Sequence, residues 1–234
     1  MMKIVFLPFA GGFQHSYYNF QQKALKCGID ILSVELPGRG SRTNEPLLTD
    51  LNEMVDDVYQ QIRGAITMPY GIFGHSMGAL IGYLLTRKII REKQRKPFHL
   101  FLSGCAGPSV KPKDPPLHSL NSQAFRNKLR ELGGSPEEIL ENDVLLNIFE
   151  PVIRADFQAV DNFTYNEDNR LDIPMTVMIG REEKITVQDA RAWQAETTKN
   201  IDLIEFPGNH FFLFGKEEEI INIISRKVNS WMFY

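Results

Sequence analysis

One short segment, Gly74-His75-Ser76-Met77-Gly78, constrains the fold of this chain more than any other feature. It stands between the apolar run 70–73, which has the length of a buried strand, and the helix-like segment 77–91. A serine flanked by glycines at a strand-to-helix junction is typical of a nucleophile elbow, a tight turn that lifts the hydroxyl above a β-sheet. The segment predicts that Ser76 is a nucleophile, the alternative being a purely structural turn.

The rest of the chain alternates between short apolar runs and helical patterns. The runs of strand length are 4–7, 31–34, 70–73, 99–102, 176–179 and 201–206. The clearest helical segments are 50–66, 77–91, 187–197 and 216–228. Such alternation indicates an α/β fold, in which a mostly parallel central sheet is flanked by helices.

Residues 108–165 break this alternation, because no strand-like run occurs among them. Three segments look helical and apolar on one side: 122–132, 135–140 and 143–163. Ligands of open α/β sheets bind beyond the carboxyl ends of the strands, where an insertion between two strands would lie. We therefore expect a single domain over residues 1–234 with a helical lid, 108–165, inserted within it.

The composition excludes several classes of protein. The 26 basic residues are outweighed by 29 acidic ones, which does not favour a nucleic-acid or anionic-membrane partner. No apolar stretch approaches the roughly 20 residues that cross a bilayer. The two cysteines, Cys27 and Cys105, are far apart and fit no metal-ligand pattern, so they are expected to be buried or part-buried free thiols in a reducing compartment. We expect a cytoplasmic monomer with no metal and no cofactor.

The loop Pro8-Phe9-Ala10-Gly11-Gly12 directly follows the first predicted strand. Acyl-transfer sites need two backbone N–H groups aimed at the oxygen that becomes negative in the transition state. One comes from the residue after the nucleophile, which is Met77, and the other from the loop after an early strand. The predicted oxyanion hole therefore consists of Met77 with Phe9 or Ala10, unless this loop is an ordinary glycine turn.

The general base is predicted at His210. Elbow hydrolases carry the nucleophile, the acid and the histidine in that chain order. Of the five histidines, only His210 follows the last predicted strand, in the segment 207–212. A solvated loop histidine is the alternative interpretation.

The acidic residue that would orient the histidine is less well defined than the nucleophile and the base. It belongs in the loop after the strand 176–179, where the carboxylates are Glu182 and Glu183, since Asp189 already lies on a predicted helix. The end of the preceding strand, Ser103-Gly104-Cys105, offers no carboxylate. Glutamate serves as well as aspartate in this role. The residues alone leave both glutamates open.

These segments together resemble the type II thioesterases that accompany nonribosomal peptide and polyketide synthetases, members of the α/β-hydrolase superfamily. The resemblance covers nearly the whole chain and is carried by Phe6–Gly12, Glu35–Gly40, Phe73–Gly78, Glu131–Pro136, Pro151–Asp156, Ala192-Trp193 and Pro207–Phe212. The lid motifs Leu-Gly-Gly-x-Pro and Pro-x-x-Arg-x-Asp are the most particular to that family.

The resemblance implies an α/β-hydrolase fold and a serine thioesterase activity. Its substrates would be acyl or aminoacyl groups on the phosphopantetheine arm of carrier domains, which makes acyl-loaded carrier domains the expected partners. The family's acid stands three residues after the glycine that ends its strand, which favours Glu183 over Glu182. A stand-alone carboxylesterase acting on small esters and a non-catalytic binding protein on the same scaffold are the alternatives.

Overall fold

A computed structural model of the chain describes residues 1–112, 115–134 and 137–232. Within these residues one parallel sheet has the strand order β2-β1-β3-β4-β5-β6. The strands are β1 Met2–Leu7, β2 Ile29–Ser33, β3 Tyr70–His75, β4 Leu100–Ser103, β5 Met175–Gly180 and β6 Asp202–Phe206. Each predicted strand is confirmed, with only its ends shifted.

The α-helices are α1 Tyr18–Lys26, α2 Leu51–Ile62, α3 Met77–Arg91, α4 Ser122–Leu132, α5 Glu137–Glu141, α6 Asp143–Asp161, α7 Val187–Arg191 and α8 Glu217–Met232. The sequence did not predict α1, which buries only Phe20 and Ala24 and therefore has little apolar pattern. The segment predicted as one helix over 187–197 is a short α7 followed by the 3-10 helix Ala192–Glu196. No helix of the described ranges is both long and apolar enough to cross a membrane.

Both faces of the sheet are buried along β1, β3, β4 and β5, which explains why these strands are continuous apolar runs. In β1, Val5 and Leu7 point into a core that α2 and α3 cover, whereas Ile4 and Phe6 point into a core that α1 and α8 cover. This two-residue alternation follows from the pleat of the strand. The sheet is therefore a rigid layer whose strand ends hold the loops of the site.

The segment between β4 and β5 contains α4, α5 and α6, which share a small core of their own. α4 has the predicted bounds, and α6 begins as predicted and ends at Asp161 rather than residue 163. The helix predicted over 135–140 is α5, although positions 135 and 136 lie outside the described residues, as do 113 and 114. Both cysteines are free thiols as predicted, but only Cys105 is half-buried, and the predicted burial of Cys27 is wrong because that residue is exposed.

Candidate active site

Ser76 stands on a sharp turn between β3 and α3, with φ of 54° and ψ of −119°. A Cβ on Gly74 would lie 2.1 Å from the carbonyl oxygen of Gly78, and one on Gly78 would lie 2.6 Å from that of Leu7. Both contacts are with backbone, which cannot move aside cheaply, so only glycine fits at either position. The left-handed backbone of a non-glycine residue here is the strained conformation that a nucleophile elbow requires.

His210 and Glu183 are brought together by the loops that follow β6 and β5. Nδ1 of His210 lies 2.7 Å from Oε2 of Glu183, and the backbone N–H of Gly180 donates to Oε1 of Glu183 at 2.7 Å. The Glu183 side chain is only 2% exposed, whereas the His210 side chain is 14% exposed. Glu182 is exposed. Of the two glutamates that the sequence left open, Glu183 is the one in contact with the imidazole.

Ser76 and His210 line one cavity of about 270 Å³ at the carboxyl ends of the strands. Phe9, Ala10 and Met77, the predicted oxyanion-hole residues, line it too. Apolar side chains of the segment between β4 and β5 form the facing wall: Leu117, Leu129, Leu132, Ile153, Phe157 and Val160. A mostly apolar cleft with a few converging polar groups is the usual form of a small-molecule site.

The loop after β1 forms a tight turn beside Ser76. The N–H of Gly12 donates to the carbonyl of Phe9 at 2.8 Å, and Gly11 has φ of 77°, as the third residue of a type II turn requires. The N–H of Gly11 donates to Oδ2 of Asp156 at 2.7 Å. Gly11 is therefore already engaged, which leaves Phe9 and Ala10 as the loop's candidate oxyanion donors.

Comparison with known proteins identifies the family. Residues 2–228 match the thioesterase domain family. The chain belongs to the thioesterases. It is 32% identical to the gramicidin S biosynthesis protein GrsT of Aneurinibacillus migulanus, over 97% of this chain and 89% of that protein.

Two solved structures resemble this thioesterase closely. ClbQ from the colibactin NRPS/PKS pathway superposes with a TM-score of 0.92 at 30% identity, covering 99% of this chain and 98% of ClbQ. The type II thioesterase BorB from the borrelidin biosynthetic cluster gives a TM-score of 0.87 at 29% identity, covering 96% of this chain and 91% of BorB. The α/β-hydrolase fold and the resemblance to type II thioesterases are both confirmed.

A buried histidine lies behind the catalytic candidates of this thioesterase. The His75 side chain is fully buried, its Nδ1 is 3.0 Å from Oγ of Ser103, and its ring centroid is 4.9 Å from that of His210. Burial, and then the charge of His210, hold the pKa of His75 well below its usual value of 6.5. His75 is therefore neutral and packs against His210 without competing for its proton. The sequence marked His75 only as part of the elbow.

A buried ion pair joins α6 to the loop after β2, a pairing that the sequence did not predict. Arg39, after β2, donates to Asp156, on α6, through both terminal nitrogens at 2.6 Å. Burial raises the pKa of the Asp156 carboxyl, while Arg39 and the N–H of Gly11 oppose that shift. Both residues stood within motifs that carried the family resemblance, but nothing in the sequence paired them.

Proposed function

We propose that this thioesterase hydrolyses acyl or aminoacyl thioesters held on the phosphopantetheine arm of carrier domains, and so frees carriers blocked by wrong or stalled groups. The observation that carries the proposal is the cavity, walled by apolar side chains, that Ser76 and His210 both line. Membership of the thioesterase family and the pathways named for GrsT and ClbQ favour a carrier-bound substrate. The proposed partners are acyl-loaded carrier domains, and the expected state is a cytoplasmic monomer.

In the proposed mechanism, Nε2 of His210 takes the proton of Ser76 as Oγ attacks the thioester carbonyl. The oxyanion accepts hydrogen bonds from the N–H groups of Met77 and of Phe9 or Ala10. The tetrahedral intermediate collapses, the C–S bond breaks, and His210 returns the proton to the leaving thiolate. His210 then deprotonates a water, which attacks the acyl-serine carbonyl. The bond between that carbon and Oγ breaks, His210 returns the proton to Oγ, and the acid leaves.

Glu183 is proposed as the third member of the triad. Its contact with Nδ1 of His210 would fix the tautomer that leaves Nε2 free for Ser76, and its charge would stabilise the imidazolium formed during attack. The backbone N–H of Gly180 holds the second carboxylate oxygen, so the orientation of the acid is set on both sides.

The segment 108–165 is proposed to be a lid within a single hydrolase domain. Its side chains supply much of the apolar wall around the acyl group, and they share a small core that is separate from the two cores of the sheet. Such an insertion would have to admit a flexible pantetheine arm while excluding bulk water from the oxyanion hole.

Rates on matched substrates test this function against the two alternatives. The chain should hydrolyse an acyl group on a carrier thioester with a higher kcat/KM than the same acyl group in a simple oxygen ester. Equal rates, or faster cleavage of the oxygen ester, would favour a stand-alone carboxylesterase. A fluorophosphonate should label Ser76 covalently, and failure to label it would favour a non-catalytic binding protein.

A further inference from the structure

The ion pair between Arg39 and Asp156 joins the segment between β4 and β5 to the body of the sheet domain. The two side chains are 1% and 0% exposed, and their two parallel bonds form a bidentate contact. Buried pairs of this kind add little stability compared with apolar side chains of the same volume, because desolvation offsets their attraction. Their strength lies in fixing geometry, since a bidentate guanidinium–carboxylate contact permits one orientation.

Both members of the pair also bind the loop after β1. Oδ2 of Asp156 accepts the N–H of Gly11 at 2.7 Å, and Nη1 of Arg39 donates to the carbonyl of Gly12 at 3.3 Å. Ile153, one turn earlier on α6, packs against the same loop, because a Cβ on Gly11 would lie 2.7 Å from its Cγ1. Three contacts thus hold the Ala10–Gly11 and Gly12–Phe13 peptide groups of this loop in place.

The first of these two peptide groups directly follows the candidate oxyanion donors. The turn closed by the N–H of Gly12 on the carbonyl of Phe9 contains Ala10 and Gly11, so fixing its far end fixes the direction of the N–H groups of Phe9 and Ala10. A donor stabilises an oxyanion only when it lies about 2.7–3.1 Å from where that oxygen forms. A small rotation of the loop would lose this contact.

We propose that Arg39 and Asp156 are positioning residues for the oxyanion hole, through which α6 sets the direction of the loop's N–H donors. The inference rests on the proposed function, since it assigns a task within that same site. In this proposal α6 orients the oxyanion hole and does not only cover the acyl group.

The test removes both charges together. A single Asp156→Asn change leaves Arg39 buried and unpaired, which is itself strongly destabilising, whereas the double variant Arg39→Met/Asp156→Leu leaves no buried charge. We expect the double variant to fold and to lose on the order of 10²-fold in kcat on an acyl-pantetheine thioester, the scale of a misplaced reacting group. KM should change little, because the apolar walls remain.

Phosphonylation of Ser76 by a fluorophosphonate gives a second readout. Its transition state also places negative charge at the oxyanion position, so its rate should fall in parallel with kcat. A role confined to stability would lower the melting temperature without slowing phosphonylation of the folded enzyme.

The buried pair of Arg87 and Glu196 is a matched control, because it does not contact the loop after β1. Its further partners are Tyr83, Tyr165, Asp168 and the carbonyl of Asn169. The double variant Arg87→Met/Glu196→Leu should lose stability and keep kcat at a temperature where it is folded. Equal loss of kcat in both double variants would overturn the inference by showing a general structural effect.

Parental kcat and parental phosphonylation in a folded Arg39→Met/Asp156→Leu variant would also overturn it, while leaving the thioesterase function intact. Should that variant not fold, Arg39→Lys keeps the charge and loses the bidentate contact, and its kcat must still fall. If the parent enzyme hydrolyses no thioester, the proposed function fails, and the phosphonylation rates still decide the inference.

Discussion

Nδ1 of His210 lies 2.7 Å from Oε2 of Glu183, and the other oxygen of that carboxylate accepts a hydrogen bond from the N–H of Gly180. The acid is therefore held by its own loop and presents one oxygen to the imidazole. Because Glu183 is almost fully buried, its charge acts on His210 through little solvent. Glu182, its exposed neighbour, has no such contact with the imidazole.

The first prediction compares the two glutamates. Glu183→Gln should lower kcat by about 10⁴-fold, since an amide in place of the acid favours the wrong histidine tautomer. Glu182→Gln is the matched control and should stay near the parent rate. Steady-state kinetics on an acyl-pantetheine thioester measures both. Equal mild losses in the two variants would refute the assignment of Glu183.

The second prediction concerns the elbow. Gly74→Ala puts a methyl group 2.1 Å from the backbone oxygen of Gly78, so the turn must deform. We expect a loss of about 1–3 kcal/mol in the free energy of unfolding, together with a large loss of kcat. Gly64→Ala is the control, because a Cβ there meets nothing within 4 Å. Urea unfolding that gave equal stability for both variants would contradict the elbow geometry.

The third prediction is a pH dependence of stability. His99 is 4% exposed and bonds to Oγ1 of Thr176. The pKa of His99 is lowered from 6.5 to about 3. Burial is the main cause, the charge of Lys227 lowers the pKa further, and the charge of Asp202 opposes both. Between pH 6.5 and about pH 3, the unfolded chain therefore binds a proton at His99 that the folded chain does not bind. Stability should fall as the pH drops through that window, by up to about 1.4 kcal/mol per pH unit.

Replacing His99 isolates this effect. His99→Gln should reduce the slope of unfolding free energy against pH, between pH 5.5 and 4.5, by about 1.4 kcal/mol per unit. The parent chain is the control, and urea unfolding at several pH values measures both proteins. An unchanged slope in His99→Gln would show that the folded protein accepts this proton.

Much of this fold could be predicted from local patterns in the sequence. The apolar runs located the six strands, and the glycines around Ser76 located the elbow, because both depend on a few neighbouring residues. α1 was missed because its exposed surface leaves too few apolar positions to mark a period. The residues alone left Glu182 and Glu183 open, and the family resemblance favoured Glu183. Only the loop geometry, which the sequence does not specify, shows that Glu183 contacts His210.

The pairing of Asp156 with Arg39 could not be predicted from the sequence, for a different reason. Arg39 and Asp156 are 117 positions apart, and their pairing depends on how α6 is laid across the sheet. No periodicity or spacing encodes that placement, since it results from packing of the segment between β4 and β5 as a whole. The family resemblance drew attention to both motifs without revealing that they meet.

The proposed mechanism depends on Oγ of Ser76 as the group that takes the acyl chain from sulfur. Rapid quenching of the parent enzyme with an acyl-carrier thioester, followed by mass spectrometry of its peptides, should find the acyl group on Ser76. Ser76→Ala should form no adduct and should lose turnover by a factor on the order of 10⁶ while remaining folded. Hydrolysis by folded Ser76→Ala at the parent rate would contradict the account.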